Sequence, residues 1–366
     1  MFAGLFLIIS WNPDSVYRKD PYLLFSKNDS CMTIMWQLYD DAVSILMWGR
    51  DTTYSSGNMV SQEYTQDHLH RALICGLEPG VKYLYRVQTE GITRDGSFRI
   101  LPPGDTITFF IYGDTRTFPW SHDSVTSMIV MDYTFNPEDQ TFVINTGDLV
   151  TNGDSETYWD VELFDEKYSN IREMFSSLPF MATMGNHEGN GILFKKYFPY
   201  DLYPSNRFYY SFDAGPVHFV VLDQYTDYSP ESEQYRWLVN DLSSTRKKWK
   251  IILLHEPGWS AGPHGDELPV RWYIQPPARH FGVKFIIAGH NHNYARAEVD
   301  GVHHITSGGG GAPLYEPEPG RENVVKTDMS HHFLKIIVEG CSIRVQAIRS
   351  DGSLIEEIRD SCDATG

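Results

Sequence analysis

The sequence predicts a chain in two parts, a small all-β module followed by a larger α/β domain. Three observations predict it. Up to about residue 101, short runs alternate apolar and polar residues with period two, as half-buried strands do. Beyond Leu101-Pro102-Pro103-Gly104, apolar runs alternate with helical stretches, the pattern of a sheet layered with helices. In that second part, polar residues recur just past the C-terminal end of the apolar runs, where α/β sheets hold their ligands. The expected bounds are 1–19 for a terminal arm, 20–103 for the β module and 104–366 for the α/β domain.

Taken in order, residues 2–9 are apolar but lack a basic flank and a small-residue cleavage site. They are either a signal-peptide remnant or a first strand packed as an arm. In the module, 32–36 and 43–48 alternate as strands, and Gly57-Asn58 and Asp95-Gly96 mark turns. Leu77-Glu78-Pro79-Gly80 leads into a strand bearing Tyr83. This resembles the tyrosine corner of fibronectin type III-like sandwiches and implies an accessory domain. In the second part, strands are predicted over 107–112, 141–145, 180–183, 218–222, 251–254 and 283–288. Helices are predicted over 121–132, 155–176 and 230–243, the last with Ser229 as N-cap and Pro230 at its first position. Strand alternation returns over 334–338 and 343–348.

Of the 366 residues, 41% are hydrophobic, enough for a large core, and the net charge is −18. An acidic surface repels a phosphate polymer, so a nucleic acid polymer is not an expected partner. A small phosphorylated substrate remains open if a metal supplies local positive charge. No run of about 20 apolar residues spans a membrane. Cys31, Cys75, Cys341 and Cys362 form no Cys-x-x-Cys pattern, and buried free thiols are the default reading. Cys341 and Cys362 are the better disulfide pair, because they fall opposite each other if Asp351-Gly352 is a two-residue hairpin turn.

The chemistry sits at the strand ends. After 107–112 comes Gly113-Asp114-Thr115-Arg116, and after 141–145 comes Gly147-Asp148. Gly185-Asn186-His187-Glu188 follows the third run, His255 follows 251–254, and Gly289-His290-Asn291-His292 follows 283–288. Singly, each block reads as a turn, a cap or a core histidine. Together, the carboxylates, imidazoles and one amide oxygen make a shared site for a hard to borderline metal such as Mn, Fe or Zn. The glycines let the backbone turn sharply over the sheet edge.

This order of blocks resembles the calcineurin-like metallophosphoesterases and, with the β module in front, their purple acid phosphatase branch. The resemblance implies a four-layer fold, two mixed sheets between helices, holding two divalent or trivalent metal ions (Fe, Mn or Zn). It implies an extracellular or periplasmic setting. Asp148 would bridge the metals, Asp114 and His292 would serve the first, and Asn186, His255 and His290 the second. A metal-bridging hydroxide would attack phosphorus, His187 would protonate the leaving group, and Glu188 would orient His187. His264 matches a substrate-phosphate histidine, and Gly308-Gly309-Gly310-Gly311-Ala312-Pro313 resembles a loop of relatives. Phosphomonoesters are the first choice of substrate, diesters or nucleotides the second, and a degenerate metal-binding scaffold is the rival.

Two positions depart from the family pattern. The superfamily has a histidine where this chain has Arg116, and the purple branch has a tyrosine where it has Thr151. The first metal is therefore short of a ligand, and no purple chromophore is expected. Arg116 either grips a phosphate oxygen and partly substitutes for charge at a weakened first site, or pairs with Asp148 or another site carboxylate. His122 and Asp123 either reach the missing ligand position or cap the next helix. Tyr225 and Trp259 either line a cleft or pack. His303-His304 and His331-His332 read as structural or surface residues.

Overall fold

The structure is a computed structural model that describes residues 16–137, 140–204 and 207–362. The apolar stretch 2–9 lies outside the described residues. The front part holds β1 (Tyr17–Leu24), β2 (Met32–Leu38), β3 (Ser44–Gly49), β4 (Gly57–Ser61), β5 (Leu69–Ile74), β6 (Lys82–Thr89) and β7 (Ile92–Arg99). The strands β1, β2 and β5 face a four-stranded sheet, β4-β3-β6-β7, across a core of Leu23, Ile34, Trp36, Leu46, Tyr85 and Val87. The Tyr83 hydroxyl accepts the Glu78 N–H at 3.1 Å, so the tyrosine corner is present.

Both turns predicted from glycine pairs in this part are strands instead, for one reason. Gly57 lies opposite Trp48 on β3, and Gly96 lies opposite Tyr85 on β6. A Cβ on Gly57 would come within 2.3 Å of the Trp48 indole, and one on Gly96 within 2.4 Å of the Tyr85 ring. These glycines make room for a cross-strand aromatic. The β6–β7 turn is Glu90-Gly91, where both residues have positive φ, as a two-residue hairpin requires.

The second part holds β8 (Thr106–Tyr112), β9 (Gln140–Asn145), β10 (Phe180–Ala182), β11 (Tyr210–Ala214), β12 (Val217–Val221), β13 (Trp249–Leu253) and β14 (Phe285–Ala288). It continues with β15 (Tyr294–Val299), β16 (Val302–Ser307), β17 (Val324–Asp328), β18 (His332–Glu339), β19 (Ser342–Arg349) and β20 (Leu354–Ser361). Its helices are α1 (Pro119–Phe135), α2 (Glu156–Tyr158), α3 (Ser169–Ser177), α4 (Ile192–Tyr197), α5 (Glu233–Ser244) and α6 (Gln275–His280). Among the described residues no helix is long and apolar enough to cross a membrane.

Two mixed sheets face each other, β20-β19-β18-β8-β9-β10 and β11-β12-β13-β14-β16-β15-β17. Aromatic side chains fill the gap: Phe109 on β8 meets Phe219 on β12 edge-on at 5.0 Å, and Phe142 on β9 meets Phe212 at 5.7 Å. Alternate residues of each strand point the other way. Val220, Ile252 and Ile286 bury against Leu238 and Leu242 of α5 and Ala278 of α6. Val125 and Ile129 of α1 and Ile171 and Met174 of α3 join the core of the first sheet. The result is the expected four layers, helices–sheet–sheet–helices.

The front strands are not detached from these layers. Leu24 of β1 pairs in parallel with Phe180 of β10, so β5-β2-β1 extends the first sheet to nine strands. This is why β2 is buried on both faces: Ile34 and Trp36 enter the front core, and Met35 enters the main one. Lys19, fully buried on β1, donates to Gln37 on β2 at 2.7 Å and pairs with Asp160 across the seam.

Two helix expectations change. The stretch 155–176 breaks into α2, one π turn (Trp159–Leu163) and α3. The Asp123 carboxylate accepts the backbone N–H groups of Asn170 and Ile171 at 2.9 and 3.2 Å, which starts α3 afresh. The later helix is capped by Ser232, not Ser229, and its Oγ accepts the Tyr235 N–H at 3.0 Å.

The free-thiol reading is also overturned, since Cys31–Cys75 and Cys341–Cys362 are both disulfides. Each pair sits one step beyond a cross-strand pair, Met32 with Ile74 and Ser342 with Ser361. The β19–β20 turn is one residue longer than predicted, with the Arg349 N–H bonded to the Ser353 carbonyl at 2.9 Å. A bulge at Ile355 restores the register, so the cysteines still meet.

Candidate metal centre

The ends of β8, β9 and β10 in the first sheet meet the ends of β13 and β14 in the second. All ten predicted site residues lie at or near this junction. Asp114, Asp148 and His290 each follow a glycine and share left-handed backbone, with φ of 60°, 58° and 67°. For residues other than glycine that conformation costs on the order of 1–3 kcal/mol and concentrates at functional sites. The neighbouring glycines do more than turn the chain. A Cβ on Gly289 would lie 2.4 Å from the Asp114 carboxylate, and one on Gly185 2.3 Å from that of Asp148. Their bareness lets the loops close onto the carboxylates.

One group of donors converges tightly. The Asn186 Oδ1 lies 3.2 Å from His255 Nε2 and 3.1 Å from His290 Nδ1. His255 Nε2 is 3.3 Å from Asp148 Oδ1. The His255 Nδ1–H donates to the Thr146 carbonyl at 2.7 Å, so its Nε2 presents a lone pair unless the ring takes a second proton. An amide oxygen, a carboxylate and two imidazoles are thus brought together around Asn186 and His255. Ligands about 2.0–2.1 Å from a zinc-like centre stand roughly 3.3 Å from one another, which matches these separations. The residues fit a metal.

The electrostatics agree. Burial would push the His255 imidazole down, but Asp148 outweighs it and raises its pKa to about 10. Burial, with Asp148 beside it, raises Asp114 well above the carboxylate range. Asp148 is itself held low in spite of burial, chiefly by His255. Burial and the His255 charge push His290 down to about 3. Buried carboxylates demand positive charge here, and a metal supplies it without a proton.

Asp114, Asp148 and His292 form a second group, with ligand atoms within 4.8 Å of one another. The His292 Nδ1–H donates to the Pro313 carbonyl at 2.7 Å, which leaves Nε2 with a lone pair 3.6 Å from Asp114 Oδ1. The Arg116 guanidinium reaches into the same space. Its Nε is 3.3 Å from Asp148 Oδ2 and its Nη2 is 3.3 Å from His292 Nε2. Thr151 turns away, its hydroxyl donating to Glu162 at 2.7 Å.

His187 and Glu188 are adjacent but work apart. The His187 Nδ1–H donates to the Thr151 carbonyl at 2.7 Å, and its Nε2 faces Asp148 Oδ2 at 3.8 Å. Thr151, not Glu188, orients the ring. The fully buried Glu188 carboxylate instead accepts the N–H groups of Gly185, Asp148 and Leu149 at 2.6, 3.0 and 2.8 Å, tying the β9 and β10 loops together.

At the rim, the His264 ring lies 4.5 Å from that of His290, and its Nε2 is 3.4 Å from the Tyr315 hydroxyl. Two residues of this rim carried no expectation. Asn291, between the two histidines, is fully buried, accepts the His264 N–H at 3.1 Å and donates to Ser260 at 2.8 Å. Tyr315 stacks on His292 at 4.3 Å. A polar residue inside a ligand block and an aromatic just past the glycine loop were the available signals. That loop packs beneath the site, with Gly310 N–H on the Gly113 carbonyl and Ala312 N–H on that of Asp114, both 2.8 Å.

Other candidates resolve to structure. His122 bonds the Tyr112 hydroxyl at 2.9 Å, and Asp123 starts α3, so neither reaches the first metal group. Trp259 packs between His304 and Arg271. Tyr225 lies at the rim, its ring 6.5 Å from His255. His304 bonds Gln275 at 2.8 Å and His332 bonds the Ser330 carbonyl at 2.8 Å, both buried.

Comparison with known proteins points one way. The model of the calcineurin-like phosphoesterase domain matches residues 107–294. The chain is similar to purple acid phosphatase 18 of Arabidopsis thaliana, 30% identical over 294 residues, 73% of this chain and 62% of that protein. The Fe(3+)-Zn(2+) purple acid phosphatase 12 of the same plant is 28% identical over 261 residues, 64% of this chain and 53% of its own length. The chain thus spans less than two thirds of these curated relatives. In fold it resembles the purple acid phosphatase PPD1 from yellow lupin (Lupinus luteus) seeds, with a TM-score of 0.77 at 21% identity over 95% of this chain and 76% of that one. PhoD follows at a TM-score of 0.69 and 14% identity, over 96% of this chain and 90% of that one.

Proposed function

Because the chain belongs to the calcineurin-like phosphoesterases, on their purple acid phosphatase side, we propose that it is a metal-dependent hydrolase of phosphoric esters. Monoesters are the favoured substrates, with diesters or nucleotides second. The observation that supports this reading is the run of close donor contacts from His290 Nδ1 through Asn186 Oδ1 and His255 Nε2 to Asp148 Oδ1 at the sheet ends. A metal held there would polarise a phosphoryl oxygen and make a water acidic near pH ~7.

The chain's own groups do the rest. The Thr151 carbonyl fixes Nδ1–H of His187, so Nε2 is the nitrogen that delivers a proton to the departing alkoxide. Arg116 and His264, both beside His292, balance charge on the equatorial phosphoryl oxygens. Two disulfides fit an oxidising compartment, extracellular or periplasmic. The test is hydrolysis of p-nitrophenyl phosphate and its bis ester, before and after chelation, with Mn or Zn added back. Metal-dependent turnover, faster on the monoester, is expected. No metal-dependent turnover of either would overturn the proposal in favour of a binding scaffold.

A further inference from the structure

We infer that the Arg116 guanidinium stands in the place of a second metal, so that the centre takes one tightly held metal ion per chain rather than two. The inference rests on the metal-dependent reading above. The Nδ1–H of His292 is fixed on the Pro313 carbonyl, so its single lone pair is on Nε2. That lone pair already accepts the Arg116 Nη2–H at 3.3 Å. The Asp148 Oδ2 accepts Arg116 Nε–H at the same distance. Of the three side chains that would hold a metal here, His292 has its one free electron pair turned to the guanidinium, and Asp148 has one of its oxygens engaged by it. A cation that entered the triangle would have to displace a permanent cation from a pocket where the arginine side chain is only 14% exposed. Guanidinium does not lose its charge in proteins, so it cannot step aside by deprotonating.

The other donor group differs in kind. Asn186, His255 and His290 face one another with no arginine or lysine among them, and their separations fit a metal. Asp148 joins the two halves, with Oδ1 toward His255 and Oδ2 toward Arg116. The geometry is that of a bridging carboxylate with a metal on one side and a fixed organic cation on the other. A site of this kind keeps two cationic centres beside the substrate while depending on one metal.

Elemental analysis of the full chain, refolding-free and dialysed against metal-free buffer after loading with Mn, Zn or Fe, decides the matter. One metal per chain is expected for the wild type, and none for Asn186→Ala, which places that metal at the Asn186 group. Arg116→His removes the guanidinium and offers an imidazole in the same space, so its count should rise toward two. Two metals in the wild type, or one that persists in Asn186→Ala, would overturn the inference while leaving the hydrolase reading standing. No metal in the wild type would overturn both. If Arg116→His does not fold, the wild-type and Asn186→Ala counts suffice.

Discussion

His187 is held by a single backbone carbonyl, yet that contact decides which of its nitrogens can act. With Nδ1–H on Thr151, only Nε2 can pass a proton to a leaving group. General acids contribute about 10²–10⁴ to rate, and most where the leaving group is a poor one. His187→Ala should therefore lose about that factor on alkyl phosphates and far less on p-nitrophenyl phosphate. Equal losses on both would show that His187 is not the acid. At this scale the sequence shows which polar residues the sheet edge brings together, because the blocks are local: a strand, mostly a glycine, then the polar residue. What it hid was partnership. Glu188 follows His187 but serves the β9 and β10 loops, and Thr151 takes the orienting role, through chain reversals that no spacing reveals.

The strand-end loops are the next level, and Glu188 holds two of them together through three backbone N–H groups. A glutamine there would keep one acceptor but turn its NH₂ against a backbone N–H. An unmet buried donor costs about 1–3 kcal/mol. Glu188→Gln should lower the urea midpoint by a matching amount and loosen metal retention, even though the side chain touches no metal donor group directly. An unchanged midpoint would refute this bracing role. Strands were readable from apolar runs, and their order was enough to place the site at one sheet edge. The failures were positions whose purpose lies on another strand. Gly57 and Gly96 read as turns because the aromatic side chains they accommodate are distant in sequence. The break in 155–176 arises from Asp123, a residue of another helix.

Over the whole molecule, one cluster around the buried His218, at the opposite end of its strand from the metal centre, sets a pH dependence of stability. His218 bonds Asp213 at 2.7 Å and Asp241 at 2.8 Å. Burial would depress the imidazole, but the two carboxylates outweigh it and raise its pKa from 6.5 to about 9. A raised pKa means that the folded state favours the protonated ring. The added stability is fully present below pH 6.5 and is lost as pH climbs through about 9. The denaturation midpoint of metal-free protein should fall across that window, and His218→Gln should flatten the fall. An equally steep fall in His218→Gln would assign the effect elsewhere. The nine-stranded sheet carries another consequence. Its outer strands, β20 and β5, are its two edges, and β1 and β10 cover each other in the middle. Severing the chain at 100–105 would create two raw edges where there were none, each a template for the wrong partner. The α/β part is therefore not portable. Residues 104–362 produced alone should aggregate, the intact chain should stay dispersed and melt in one transition, and light scattering against a melting curve would show it.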